Sequence, residues 1–172
     1  MKLSGKTVAM LAENLYQEME VWYPIYRMRE EGAKVIVVGT GSAASYTSKH
    51  GYPVKVDKPA DDVNPRELDA LIPGGYAPDI LRRYPAVLSL VKAVFDAGKP
   101  VAAICHGGWV LASANVLRGR KATSFFAIRD DMTNAGASYQ DVEVVVDGNL
   151  ITSRTPDDLP AFCREIIRAL AS

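Results

Sequence analysis

Val101-Ala102-Ala103-Ile104-Cys105-His106-Gly107-Gly108-Trp109 decides how this chain is read. Four apolar residues end on a lone cysteine, and two glycines and a new apolar segment follow almost at once. A buried strand that breaks sharply into a helix has this pattern, with a thiol at the break. Ala103 and Gly107, two residues either side, are small enough for so tight a bend. This is the cysteine counterpart of the G-x-S-x-G nucleophile elbow, which pushes its side chain out over a sheet. The free amides of the new helix favour negative charge, so the thiol is expected to ionise more readily than usual. A cysteine serving only as a small core residue would explain neither the small flanks nor the adjacent histidine.

Working outward, Thr7–Ala12 and Lys34–Val38 are short apolar runs of strand length. Between them Val21, Trp22, Ile25 and Met28 recur at helical spacing, with Pro24 expected in the first turn and Gly32 as the stop. Strand, helix, strand within ~30 residues is a βαβ unit and implies a parallel sheet. Ser42–Asp57 is turn-rich and then alternates, which predicts a small hairpin. Asn64–Leu68 predicts a short helical turn, and Asp69–Ile72 a third strand that ends in Pro73-Gly74-Gly75. A helix over Ala86–Phe95, the elbow strand, a hairpin through Asp147-Gly148 and a final amphipathic helix over about 157–170 complete the series. The alternation predicts an α/β sandwich, helix–sheet–helix, with ligands bound at the carboxyl ends of the strands.

The 172 residues suit a single domain, 1–172, and show no repeat or linker. Acidic and basic residues balance at 20 each, so no field attracts nucleic acid or an anionic membrane. No run approaches the ~18 apolar residues of a membrane span, and a cytoplasmic location is expected. Cys105 and Cys163 are too few and too far apart for a disulfide scaffold. With His50 and His106 they lack metal-ligand spacing, so neither metal nor cofactor is expected. Glu13-Asn14-Leu15-Tyr16 stands where a dinucleotide binder would carry G-x-G-x-x-G.

Three segments should converge at strand ends: Cys105, the Gly74-Gly75 turn and the Glu13–Glu20 loop. The glycine turn can offer backbone N–H groups to an oxyanion. His106 is the only histidine near the thiol in sequence and is the candidate proton carrier. Spacing does not choose among Glu13, Glu18 and Glu20. His50 reads as a turn-tip residue and Cys163 as core packing.

The segments Ala-Ile-Cys-His-Gly, Pro-Gly-Gly, Leu-Arg-Gly-Arg-Lys, Asp-Asp-Met-Thr-Asn-Ala-Gly-Ala and Thr-Ser-Arg-Thr-Pro-Asp-Asp-Leu together resemble the DJ-1/PfpI superfamily. The closest branch is the PfpI intracellular-protease type (peptidase C56), and the likeness runs from about residue 6 to residue 170. It implies a flavodoxin-like three-layer sandwich with a mainly parallel central sheet, akin to class I glutamine amidotransferases, and a homodimer or higher homo-oligomer. It makes Cys105 the nucleophile, His106 its histidine and Glu20 the glutamate that hydrogen-bonds the cysteine. Gly74, Gly75 and the His106 amide become the oxyanion hole. Asp79 becomes the acid that reaches the histidine of a neighbouring subunit. Two positions depart from close relatives: Gln17 replaces a glutamate, and Phe125 a tyrosine.

Glutamine amidotransferase chemistry needs a histidine far downstream of the thiol, and none follows His106. The resemblance leaves a cysteine-dependent, stress-protective enzyme. Its substrates would be small carbonyl compounds or their protein adducts (glyoxalase III or deglycase chemistry), or peptide bonds. Aldehydes are more electrophilic and need less acid–base help than peptides, so the carbonyl reading leads. The alternative is a non-catalytic redox sensor or chaperone whose Cys105 oxidises to the sulfinate.

Overall fold

The structure is a computed structural model that describes residues 1–74 and 77–172. The first βαβ unit is β1 (Thr7–Leu11), α1 (Glu18–Glu30) and β2 (Lys34–Gly39). A two-stranded hairpin follows, β3 (Ser45–Thr47) and β4 (Pro53–Lys55), and then a short edge strand β5 (Lys58–Pro59). The middle of the chain is β6 (Ala70–Pro73), α2 (Pro78–Leu81), α3 (Pro85–Asp96), β7 (Val101–Ile104) and α4 (Gly108–Ser113). After it come β8 (Lys121–Ala122), α5 (Arg129–Asn134), β9 (Ser138–Tyr139), β10 (Val144–Asp147), β11 (Leu150–Ser153) and α6 (Leu159–Ala171).

The central sheet has the order β10-β11-β7-β6-β1-β2-β5 and is parallel except for β10. Buried on both faces, the inner strands β6 and β7 read as unbroken apolar runs, and every residue of both is buried. From β1 the chain moves to β2 on one side and then to β6, β7 and β11 on the other. Because parallel crossovers are right-handed, that reversal puts the helices on opposite faces. Accordingly α1 packs with α6, and α3 with α4. The reversal also opens a crevice at the carboxyl ends of β1 and β6, where doubly wound sheets bind ligands.

The first helix starts earlier than its apolar spacing predicts. Gln17 caps it, its side-chain oxygen accepting the Glu20 N–H at 3.0 Å. Glu18 and Glu20 therefore stand in the first turn and not in a loop. Pro24 falls inside the helix, where its missing amide removes a hydrogen bond from the second turn. Its burial, with Val21, Ile25 and Met28, offsets that loss. The final helix agrees with its predicted face: Leu159, Phe162, Ile166, Ile167 and Leu170 are all buried. Cys163 joins them at 1 % exposure.

Candidate active site

The elbow is built as its small residues require. Cys105 follows β7 with φ +59°, one of three non-glycine residues in the left-handed region among those described. That conformation costs a non-glycine residue about 1–3 kcal/mol and persists only where the surroundings enforce it. Gly107 shows the enforcement. Its φ of −54° is open to any residue, so glycine is needed there for space. A Cβ at this position would lie 2.9 Å from the Pro73 carbonyl oxygen and 3.1 Å from the Ala103 methyl. The bend is thus pressed against the end of β6. The Phe125 N–H donates to the Cys105 carbonyl at 3.2 Å and ties the elbow to the following loop.

Gly74 closes β6 just as tightly, since a Cβ there would lie 2.9 Å from Val21 Cγ2 on α1. The glycine turn, the elbow and the first turn of α1 therefore share one crevice. Gly75 lies outside the described residues.

The structure separates the three glutamates. Glu13, 2 % exposed, accepts hydrogen bonds from the hydroxyls of Thr40 and Ser42 and from the Asn14 amide. Glu18 accepts from the Ser48 hydroxyl and the His50 amide, and pairs with His50 Nδ1 at 3.1 Å. Glu20, fully buried, stands near enough to the Cys105 thiol for its carboxylate to act on the sulfur.

His106 Nδ1 lies 3.2 Å from Cys105 Sγ. The imidazole is stacked on Phe125, with centroids 5.0 Å apart and planes at 25°, and meets Trp109 edge-on at 5.2 Å. Burial, helped by the positive charge of Lys49, lowers its pKa, so it is a neutral base at neutral pH. Phe125 thus holds the histidine ring by stacking. Gln17 serves as the cap of α1.

The thiol departs from the simple elbow expectation of an acidic sulfur. Burial first, and the Glu20 carboxylate second, push its pKa up, against the His106 N–H and Lys49, which favour the thiolate. α4 is only six residues long, which limits its dipole. With both acids in one buried place, a charge on Glu20 opposes a charge on Cys105.

Beside His106 opens a cavity of about 600 Å³, lined by Leu15, Asp79, Ile80, Arg83, His106 and Trp109. Asp79 forms an ion pair with Arg83 of its own chain. Arg82 lies over the Trp109 ring, 5.5 Å from its centre.

The family pattern of DJ-1/PfpI proteins matches residues 6–169. The chain belongs to the DJ-1/PfpI family. It is 48% identical over 164 residues to Deglycase PfpI of Pyrococcus furiosus, covering 95% of this chain and 98% of that protein. It is 44% identical over 171 residues to Protein/nucleic acid deglycase 2 of Escherichia coli, covering 98% and 99%. Among solved structures, Drosophila melanogaster DJ-1beta superposes with a TM-score of 0.90 at 28% identity, over 96% of this chain and 90% of that one. The DJ-1/PfpI fold accounts for the mainly parallel sheet, and relatives named for enzymatic activities make a stress-related enzyme the coarse functional reading.

Sequence reasoning missed Lys49, an exposed residue in a turn with no motif of its own. Its charge reaches both Cys105 and His106. Only the tertiary placement of the β3–β4 hairpin brings it there.

Proposed function

We propose that this protein is a cysteine-dependent enzyme acting on small dicarbonyl compounds and their adducts on protein side chains. The observation that carries this reading is the meeting of three groups at one strained position: the Cys105 thiol, His106 Nδ1 at 3.2 Å, and the buried Glu20 carboxylate near the sulfur. Passing the thiol proton from sulfur to Glu20 creates the thiolate without adding charge to the site. That transfer is uphill in the resting protein; sulfur is the more exposed partner, and the His106 N–H and the Lys49 charge offset part of the cost.

The thiolate adds to an aldehyde carbon, forming the S–C bond as the carbonyl π pair moves to oxygen. The Gly74 and His106 amides are the donors assigned to that oxyanion in this reading. Neutral His106 moves the proton in the later steps. Net conversion of methylglyoxal and water to lactate needs no external oxidant, because the aldehyde carbon is oxidised as its neighbour is reduced. A cavity of about 600 Å³ far exceeds one methylglyoxal molecule and leaves room for a side chain that carries the adduct.

Asp79 is half exposed, and its pair with Arg83 is worth at most about 1 kcal/mol. It can therefore turn toward the histidine of a second copy, the role that the family resemblance assigns to it in an oligomer. Purified protein is expected to consume methylglyoxal and to release it from modified lysine and arginine derivatives, and Cys105→Ser to do neither. Equal rates for the parent and Cys105→Ser would refute the reading.

A further inference from the structure

Lys49 stands in a turn that is clamped more firmly than an exposed lysine needs. Ser48 and His50, its neighbours on either side, are both held by one carboxylate, Glu18, in the first turn of α1. The Lys49 amide donates to the Tyr16 carbonyl at 3.0 Å. One step further back, the Thr47 carbonyl accepts the Leu15 N–H at 2.8 Å, and the Thr47 amide donates to Asn14 Oδ1 at 3.0 Å. Leu15 itself has φ +65° and lines the cavity beside His106. Residues 47 and 49 are therefore hydrogen-bonded to the stretch 14–16, whose Leu15 forms part of the cavity wall, and the clamp on their turn starts from the helix turn that carries Glu20.

We propose that Lys49 is a positioning residue of the active site, fixed there by the Glu18–Ser48–His50 clamp to draw negative charge onto the Cys105 sulfur and anionic groups into the cavity. Its charge lowers the pKa of both Cys105 and His106, as a cation near both must. The clamp carboxylate is held well below the usual carboxylate range, so it stays charged, and the turn stays in place, throughout the neutral region. The proposal deepens the enzymatic reading by naming the substrates favoured: carbonyl compounds that bear, or become, carboxylates.

The test uses two alkylating probes on the full-length protein, and neither depends on turnover. Iodoacetamide is neutral and iodoacetate anionic, and each reports the rate of Cys105 modification against pH. Lys49→Met is expected to move the midpoint of iodoacetamide labelling to higher pH. It should also lower the iodoacetate-to-iodoacetamide rate ratio by about threefold or more at low salt, an effect that collapses in ~1 M salt. Lys49→Arg is expected to restore both. Ser48→Ala, which loosens the clamp without touching the charge, is expected to lower the ratio by a smaller factor. If Lys49→Met slows both probes equally with the midpoint unmoved, or leaves both unchanged, the proposal is overturned. Absence of methylglyoxal turnover in the parent, with the probe pattern intact, would instead refute the enzymatic reading alone.

Discussion

Substituting Gly107 tests the elbow where its tolerance is smallest. An added methyl lies 2.9 Å from the Pro73 carbonyl oxygen, roughly half an ångström inside ordinary contact, and 3.1 Å from Ala103 Cβ. Pro73 cannot simply give way, because its strand is held in register with Leu11 of β1. Overpacking of this kind costs about 1–3 kcal/mol, and a clash with backbone belongs in the upper half of that range. Alanine's better helical propensity returns up to about 1 kcal/mol. Gly107→Ala is therefore expected to lose about 1–3 kcal/mol. In a chain of this size that lowers the melting temperature by about 2–12 °C. Since Gly74 follows Pro73 directly, the push also spreads the glycine turn away from the thiol. Calorimetry, with iodoacetamide labelling of Cys105 on the same samples, measures both effects. A Gly107→Ala protein that melts at or above the parent temperature with unaltered labelling would show that the bend is not packed as described.

Glu20→Gln keeps the size and hydrogen-bonding reach of the side chain but cannot take the thiol proton. Turnover of methylglyoxal is expected to fall about 100-fold or more in a protein whose circular dichroism is unchanged, and parent-like kcat would remove Glu20 from the mechanism. The two thiols should differ under peroxide or alkylating agents. Cys163 is 1 % exposed and packed into the core, whereas Cys105 is 8 % exposed and sits beside the His106 cavity. Peptide mass spectrometry should therefore find Cys105 modified first; equal modification would contradict the site. Glu18 gives a pH signature. Burial opposes its ionisation, but hydrogen bonds from Ser48 and His50 outweigh it and bring its pKa to about 2 from the usual 4.5. A depressed folded pKa contributes stability that is fully present above about pH 4.5 and is lost as pH falls toward 2. Denaturant midpoints measured between pH 6 and pH 2.5 should fall less steeply for Glu18→Gln, and parallel curves would deny the clamp its charge.

The elbow was legible because its constraint is local. Residues 103 and 107 must be small wherever a strand bends so sharply into a helix, and sequence shows their size directly. The fully apolar strands were legible for a similar reason, since burial on both faces leaves no room for polar alternation. The short helices α2 and α5 were not foreseen, because four to six residues carry too little periodicity to stand out. The edge strand β5 has only two residues. The start of α1 depended on one glutamine cap, which outweighed the usual placing of proline in a first turn. Among the carboxylates, Glu13, Glu18 and Glu20 look alike in sequence. Only family resemblance singled out Glu20, and the three-dimensional partners of each show why they differ. Lys49 had no sequence signal, because its place depends on hydrogen bonds between a hairpin and a loop some thirty residues earlier.

The order of strands has a consequence for how the protein matures. The segments that meet at the sulfur end β1, β6 and β7, neighbours in the sheet but spread over nearly a hundred residues of chain. None of the three can assemble the crevice alone, and pairings so remote in sequence form late. During synthesis Cys105 is an ordinary exposed thiol, without its acidic partner or its bend, until those strands register. The chemistry proposed for this atom therefore depends on completed folding, and a chain arrested earlier carries a plain cysteine that any electrophile can reach.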